Sequence, residues 1–341
     1  MGRQAHLIGS VSLADAETVF TMVADILGDC CTRIPDGETG ERGYWIRWQD
    51  ATFAGCADMK AEAVSVKIPG FKDAVERTFY SLNEGIDPAD IDFGELGYAR
   101  EALDSWALFS RLQDEGKIPA ATRFQVSMPT PVALLSGFVM MPSRGICEAA
   151  LEKSMIADLD RIQSVIPNDR LSIQWDVCYE VVGNDGGPPL HYEDVVAGSA
   201  ERLGRLCGAV NDNVELGIHL CYGDPGHQHI VQPGDLGTSV AFANAISAAS
   251  PRTINFMHMP VPAGRSDDAY FEPLKELSMP ADTRLIIGLV HHTDGTEGTR
   301  ARMAAADRFV SEYDVATECG FGRRDPSTIE DLLKIHRDVC S

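Results

Sequence analysis

The chain has 341 residues, 44% of them hydrophobic and 23% charged. That length suits one large domain or two ordinary ones, and the composition lies far from that of disordered chains. Its 29 Lys and Arg stand against 51 Asp and Glu, a formal charge of −22, with no basic run able to follow a phosphate backbone, so nucleic acid is not an expected partner.

Short apolar, β-branched runs alternate with amphipathic stretches along the whole chain. In order, strands are expected at His6–Gly9, Cys31–Pro35, Arg123–Ser127, Leu171–Val177, Val214–Cys221, Thr253–Met257, Arg284–Val290 and Tyr313–Thr317. Helical patterns fall at Leu13–Leu27, Cys147–Val165, Tyr192–Val210, Asp235–Ala249, Thr299–Val310 and Ser327–Val339. An eight-fold alternation predicts an α/β fold, a (β/α)8 TIM barrel, and residues 1–341 are expected to form a single elaborated barrel domain. Two segments break the rhythm. Residues 51–118 predict a helical insertion between strands 2 and 3, and Gly183–Tyr192 predicts a Gly/Pro-rich substrate loop after the fourth strand.

No stretch approaches the roughly 20 apolar residues of a membrane span, and MGRQAHLIGS lacks the pattern of a secretory signal. No membrane partner and a cytoplasmic location are therefore expected. In a reducing compartment the nine cysteines, odd in number and scattered, are better read as buried side chains, metal ligands or thiols than as a disulfide framework.

Barrel enzymes place their chemistry at the C-terminal ends of the strands. Ser10, Asp36, Glu38, Asp176, His219, Cys221, Glu318 and Cys319 fall there. His219 and Cys221 are two residues apart on a strand and so share a face, and Cys319 enters the same mouth from the eighth strand. Three nitrogen and sulfur ligands with one position open describe a catalytic zinc site.

The blocks carrying these residues resemble cobalamin-independent methionine synthase. GIHLCYGD at 217–224 is similar to its H-x-C-Y zinc motif, and ATECGFGRRDPSTIEDL at 316–332 to its D-C-G-L-x-x-R segment. IGS at 8–10, DGETGERGYWIRW at 36–48, PTPVALL at 129–135, IQWDVCYE at 173–180 and LIIGLVHHTD at 285–294 resemble further motifs in the same order. The resemblance is to the catalytic barrel and its single-barrel relatives. It implies Zn2+ held by His219, Cys221 and Cys319, and a small thiol activated as a zinc thiolate for alkyl, in its most specific form methyl, transfer. Ser10, Glu38 and Asp176 carry over as substrate-binding residues that hold amino and carboxylate groups, with Glu38 and Asp176 as the catalytic carboxylates. The implied partners are a thiol and an alkyl donor, with a homo-oligomer left open.

The departures point to altered specificity. The family's sixth-strand Glu ligand is replaced by Met257 or His258, which makes His258 a candidate fourth ligand. The D-E-P acid pair shrinks to Asp176-Val177-Cys178 unless Glu180 stands in, and Gly137 takes the place of the folate-stacking Trp. A small or weakly charged donor is therefore expected rather than a polyglutamylated folate. Trp45 and Trp48 are read as core packing or as a substrate wall. Arg323 and Arg324 could meet an anionic group or cap carboxylates, and His227 and His229 suit a solvated loop. An alternative activity is zinc-dependent carbon–sulfur bond formation or cleavage, of lyase or epoxyalkane:coenzyme M transferase type. A metal-free barrel of uroporphyrinogen decarboxylase type or a non-catalytic binding protein fits the retained His and Cys residues poorly.

Overall fold

A parallel strand covered on both faces is buried without alternation. The computed structural model describes residues 2–67, 72–225 and 228–340 and shows this pattern, nearly unbroken, in eight parallel strands, the sixth of which is shifted from Thr253–Met257 to Phe256–Pro260. In chain order the strands are β1 (Ala5–His6), β2 (Arg33–Pro35), β3 (Met59–Val66), β4 (Val75–Leu82), β5 (Arg123–Pro129), β6 (Leu171–Val177), β7 (Glu215–Leu220), β8 (Phe256–Pro260), β9 (Arg284–Val290) and β10 (Asp314–Thr317). The helices are α1 (Ala16–Leu27), α2 (Asp50–Gly55), α3 (Tyr98–Asp114), α4 (Pro131–Phe138), α5 (Met141–Val165), α6 (Tyr179–Asn184), α7 (Val195–Ala209), α8 (Gly237–Ala249), α9 (Asp268–Phe271), α10 (Gly295–Ala306) and α11 (Ile329–Cys340).

Eight strands pair in parallel in the order β1-β10-β9-β8-β7-β6-β5-β2. With helices between successive strands they form a nearly closed (β/α)8 barrel. Beyond the ends of β1 and β2, Val11 N donates to Gly37 O at 2.7 Å and draws the first and last staves together.

The insertion differs from expectation. It is not wholly helical: β3 and β4 form an antiparallel hairpin with register from Met59 opposite Leu82 to Val66 opposite Val75. Val64 and Val66 on one strand and Val75, Thr78, Phe79 and Tyr80 on the other are β-branched or aromatic, and both strands stay largely half-exposed, which favours a surface hairpin over a helix. Tyr80 anchors the hairpin by stacking on Phe53 (ring centroids 5.9 Å apart) and accepting through its carbonyl from Met140 N. Helix α3, within the same segment, belongs to the barrel's own outer ring.

The apolar core occupies two places. The larger part lies between sheet and helices, while Ile8, Phe256, Ile286 and Ala316 form a separate cluster. Beside that cluster runs a polar chain. Arg33 grips Glu215 through two bonds of 2.9 Å and approaches His6 Nδ1 at 3.4 Å. His6 Nε2 bonds Gln174 Oε1 at 2.8 Å, and Gln174 Nε2 donates to Ile8 O and to Asp176 Oδ1. Because Arg33 can only donate, His6 Nδ1 accepts and its Nε2 carries the proton, so the chain has one direction. Phe256 lies against Gly217, where any Cβ would overlap the ring. Gly217→Ala is expected to destabilise the fold by about 1–3 kcal/mol through overpacking, read as a lower midpoint in urea unfolding.

Candidate active site

The loop after β2 begins with an Asx turn. Asp36 accepts from Glu38 N at 2.9 Å and is held by Arg42 at 2.6 Å and by the Ser105 hydroxyl at 2.7 Å. Gly37 has φ +81°, and a Cβ there would lie 2.7 Å from Val19. Glu38 follows at φ 47°, and its carboxylate turns inward against Gly9, where a Cβ would stand 2.5 Å from Oε1. The Gly of the IGS block therefore makes room for Glu38. The following stretch, Gly40–Gln49, is built of 3-10 turns broken at Tyr44 and Trp45, the latter with φ 55° and ψ −115°. Trp45 and Glu38 are the two non-glycine residues at positive φ among those described.

That backbone aims Trp45 at the mouth, where its indole N–H donates to Asp176. Its ring stacks on Tyr179 at 6.2 Å and 16°. Trp48 instead packs edge-on against Tyr98 at 4.9 Å. Both tryptophans are half-buried against the core, and Trp45 also lines the mouth beside Asp176.

Asp176 is 6% exposed. Burial pushes its carboxyl up to about 7 despite the bonds from Gln174 and Trp45. Burial first, and then the charge of Asp176, push Glu38 up to about 8. Two acids held this way release their protons readily to an incoming cation. Ser10 is locked beneath the loop after β10, with Phe321 N donating to its carbonyl at 2.6 Å. A Cβ on Gly320 would overlap the Ser10 hydroxyl.

His219 is the penultimate residue of β7, Cys221 comes just after the strand ends at Leu220, and Cys319 lies two residues past β10. One ligand atom from each lies within 4.8 Å of the others. The sulfurs of Cys221 and Cys319 are 3.7 Å apart, and two sulfurs at about 2.3 Å from a tetrahedral zinc stand about 3.8 Å apart. The donor set fits zinc on chemical grounds as well, since two thiols this close, one buried and one half-buried, do not both ionise readily without a cation between them. Contact with Cys178, together with burial, pushes the Cys221 thiol well above its usual range, and Cys221 with burial does the same to Cys319. A cation reverses that order. Gly223 N donates to Cys221 Sγ at 3.2 Å, and Arg323 Nη2 to Cys319 Sγ at 3.6 Å. Arg323 also interacts electrostatically with Glu38, so it links the sulfur pair to the carboxylate pair.

Several expectations are revised. His258 brings no atom into the ligand group. It bonds His219 and a backbone carbonyl instead, because it lies directly opposite His219 in the ladder. Glu180 does not join Asp176; it accepts from Thr130 at 2.6 Å, and burial pushes its carboxyl up to about 7. A Cβ on Gly137 would stand 2.7 Å from Ile46 Cδ1, so an aliphatic side chain fills the space. His229 is not a solvated loop residue: it is 6% exposed, with Nε2 3.0 Å from Glu318 Oε2. His227 lies outside the described residues. His291 donates through Nε2 to Val261 O and lies 3.7 Å from Glu318. Sequence spacing could not group His229, Glu318 and His291, which come from three separate loops.

Compared by sequence, the chain matches no protein-family model and no curated protein. Compared by structure, it is similar to a protein from Listeria monocytogenes assigned as a vitamin-B12-independent methionine synthase, with TM-score 0.60 and 13% identity over 100% of this chain and 98% of that one. It is similar to a B12-independent methionine synthase from Shewanella sp. W3-18-1, solved with selenomethionine, with TM-score 0.60 and 14% identity over 99% and 96%. It is also similar to a methyltransferase from Methanosarcina mazei, with TM-score 0.55 and 12% identity over 97% and 94%. Among the described residues no helix is long and apolar enough to cross a membrane. At these identities the likeness is one of fold, and the chain has the barrel of the B12-independent methionine synthase-like proteins.

Proposed function

We propose that the protein is a zinc-dependent alkyltransferase, in its most specific form a methyltransferase, acting on a small thiol. The observation that carries this reading is the group of His219, Cys221 and Cys319 at the C-terminal end of the barrel, with its 3.7 Å sulfur pair. The barrel shared with two methionine synthases and a methyltransferase supports it. A zinc ion bound there supplies the positive charge that lets a thiol ionise near neutral pH. The thiol sulfur then forms its bond to the alkyl carbon as the bond from that carbon to the donor's leaving group breaks, the electron pair departing with the leaving group. The thiol proton goes to solvent or to the leaving group.

The chain's own residues orient this reaction. Glu38 and Asp176 meet an ammonium group on the thiol substrate, and Trp45 and Gln174 hold Asp176 in place. Arg323, beside Cys319 Sγ and held by Asp224 through a 2.8 Å bond to its carbonyl and a 3.7 Å ion pair, is the cation nearest to an anionic group on a thiol bound here. Joining the thiol to an activated carbon other than methyl is a second reading. It is favoured by Ile46, which fills the space at Gly137 where a broad planar donor would otherwise stack.

Metal analysis of purified protein is expected to give one zinc per chain. Thiol binding to the zinc-loaded protein is expected to release about one proton near pH 7, because a free thiol with pKa of roughly 8.5 is mostly protonated there. Calorimetry in two buffers of different ionisation enthalpy reads that proton. Heats that do not depend on the buffer would show that the thiol keeps its proton.

A further inference from the structure

His258 pairs with His219 across β7 and β8, and both rings are buried, at 0% and 2% exposure. Both nitrogens of His258 are engaged. Nε2 lies 3.0 Å from Thr317 O, Nδ1 lies 2.8 Å from Nδ1 of His219, and the ring also makes a backbone contact with Leu220. A carbonyl oxygen only accepts, so Nε2 of His258 carries the proton of the first bond. A neutral imidazole has a single ring proton, which leaves Nδ1 of His258 bare. The proton in the 2.8 Å gap then belongs to Nδ1 of His219, and Nε2 of His219 keeps its lone pair.

We propose that His258 is a positioning residue: the relay from Thr317 O through His258 to His219 fixes the Nδ1–H tautomer of His219 and presents Nε2 to the metal. Ligating histidines commonly donate their second N–H to a carboxylate, carbonyl or water, which fixes the tautomer and the ring orientation. Here the acceptor is a second imidazole anchored on the neighbouring strand. The acceptor is uncharged, so the ligand is oriented without adding negative charge to a centre that already has two cysteines. The tautomer follows from the Thr317 and His219 bonds, with the Leu220 contact as the competing acceptor; its consequence for metal binding rests on the zinc reading above.

Two measurements test this. In reduced, metal-free protein labelled with 15N-histidine, long-range proton–nitrogen correlations are expected to show His219 protonated at Nδ1 and bare at Nε2. A proton on Nε2 overturns the proposal. Because no zinc is present, this result stands whether or not the zinc reading does. In competition with a chelator, His258→Phe, which keeps the ring but loses the acceptor, is expected to bind zinc about 10–100-fold more weakly. His258→Asn, whose Oδ1 can reach the place of Nδ1, is expected to recover most of that loss. Unchanged affinity in His258→Phe, in a parent that binds one zinc, overturns the proposal. A parent that binds no zinc, with the tautomer as expected, overturns only the zinc reading.

Discussion

Cys221→Ser and Cys319→Ser are each expected to abolish turnover and to weaken zinc binding by more than the roughly 10–100-fold that changes outside the ligand shell produce. A serine hydroxyl is not ionised near neutral pH and is a harder donor than thiolate, so it cannot replace sulfur at a nitrogen and sulfur site. The fold should persist, because both residues sit past the strand ends while the staves are held by ladder bonds and by the core outside the barrel. Circular dichroism and unfolding midpoints of the metal-free variants check that point. Cys178→Ser is the control: Cys178 contacts Cys221 yet lies outside the ligand group, so its zinc content should stay at one per chain. Full zinc occupancy in the double Cys221→Ser, Cys319→Ser variant would remove the basis for the metal site.

Glu38→Gln is expected to make the protein more stable and less able to bind its substrate, both in a pH-dependent way. The folded-state carboxyl is raised to about 8 from an ordinary 4.5. Between those values the folded chain holds a proton that the unfolded chain releases, so rising pH favours unfolding. Below about pH 4 both states are protonated and the penalty is gone. At pH 8 the variant should exceed the parent by about 2–4 kcal/mol, and the gap should close towards pH 4. Over the same range it should lose about 10–100-fold in affinity for an ammonium-bearing thiol, the order of a bond to a charged group. A thiol lacking the ammonium should bind both proteins alike. A variant less stable than the parent at pH 8 would mean that the ionised carboxylate is compensated by a partner not recognised here.

The barrel was legible because its staves, buried on both faces, read as eight apolar runs, and because H-x-C on one of them puts two ligands on one face. The hairpin is hard to read in MKAEAVSV and VERTFYSL, because neither alternates strictly. The partial exposure of both strands gave no apolar run to catch the eye. The part played by His258 could not be read in advance. It depends on the register that sets His219 against His258 and on a Thr317 carbonyl brought in from a third strand. The sequence leaves Trp45 between two readings for a similar reason: a tryptophan at positive φ is uncommon, and only the backbone shows where its ring points. Gly9 and Gly320 carry a signal that sequence alone does not decode, since each makes room for a side chain distant in the chain.

The backbone of the loop after β2 governs how the mouth of the barrel moves. Glu38 and Trp45 occupy conformations that cost of order 1–3 kcal/mol each, held in place through Asp36, which Ser105 of α3 ties down, and through the stack of Trp45 on Tyr179 at the start of α6. Such a segment sits at the low end of local opening free energies, while the staves open only with the whole molecule. Amide exchange should therefore be fast between residues 38 and 45 and slow in β6 and β7. A ligand that bridges Glu38 and Asp176 would quiet this loop first, making its breathing the earliest sign of occupancy.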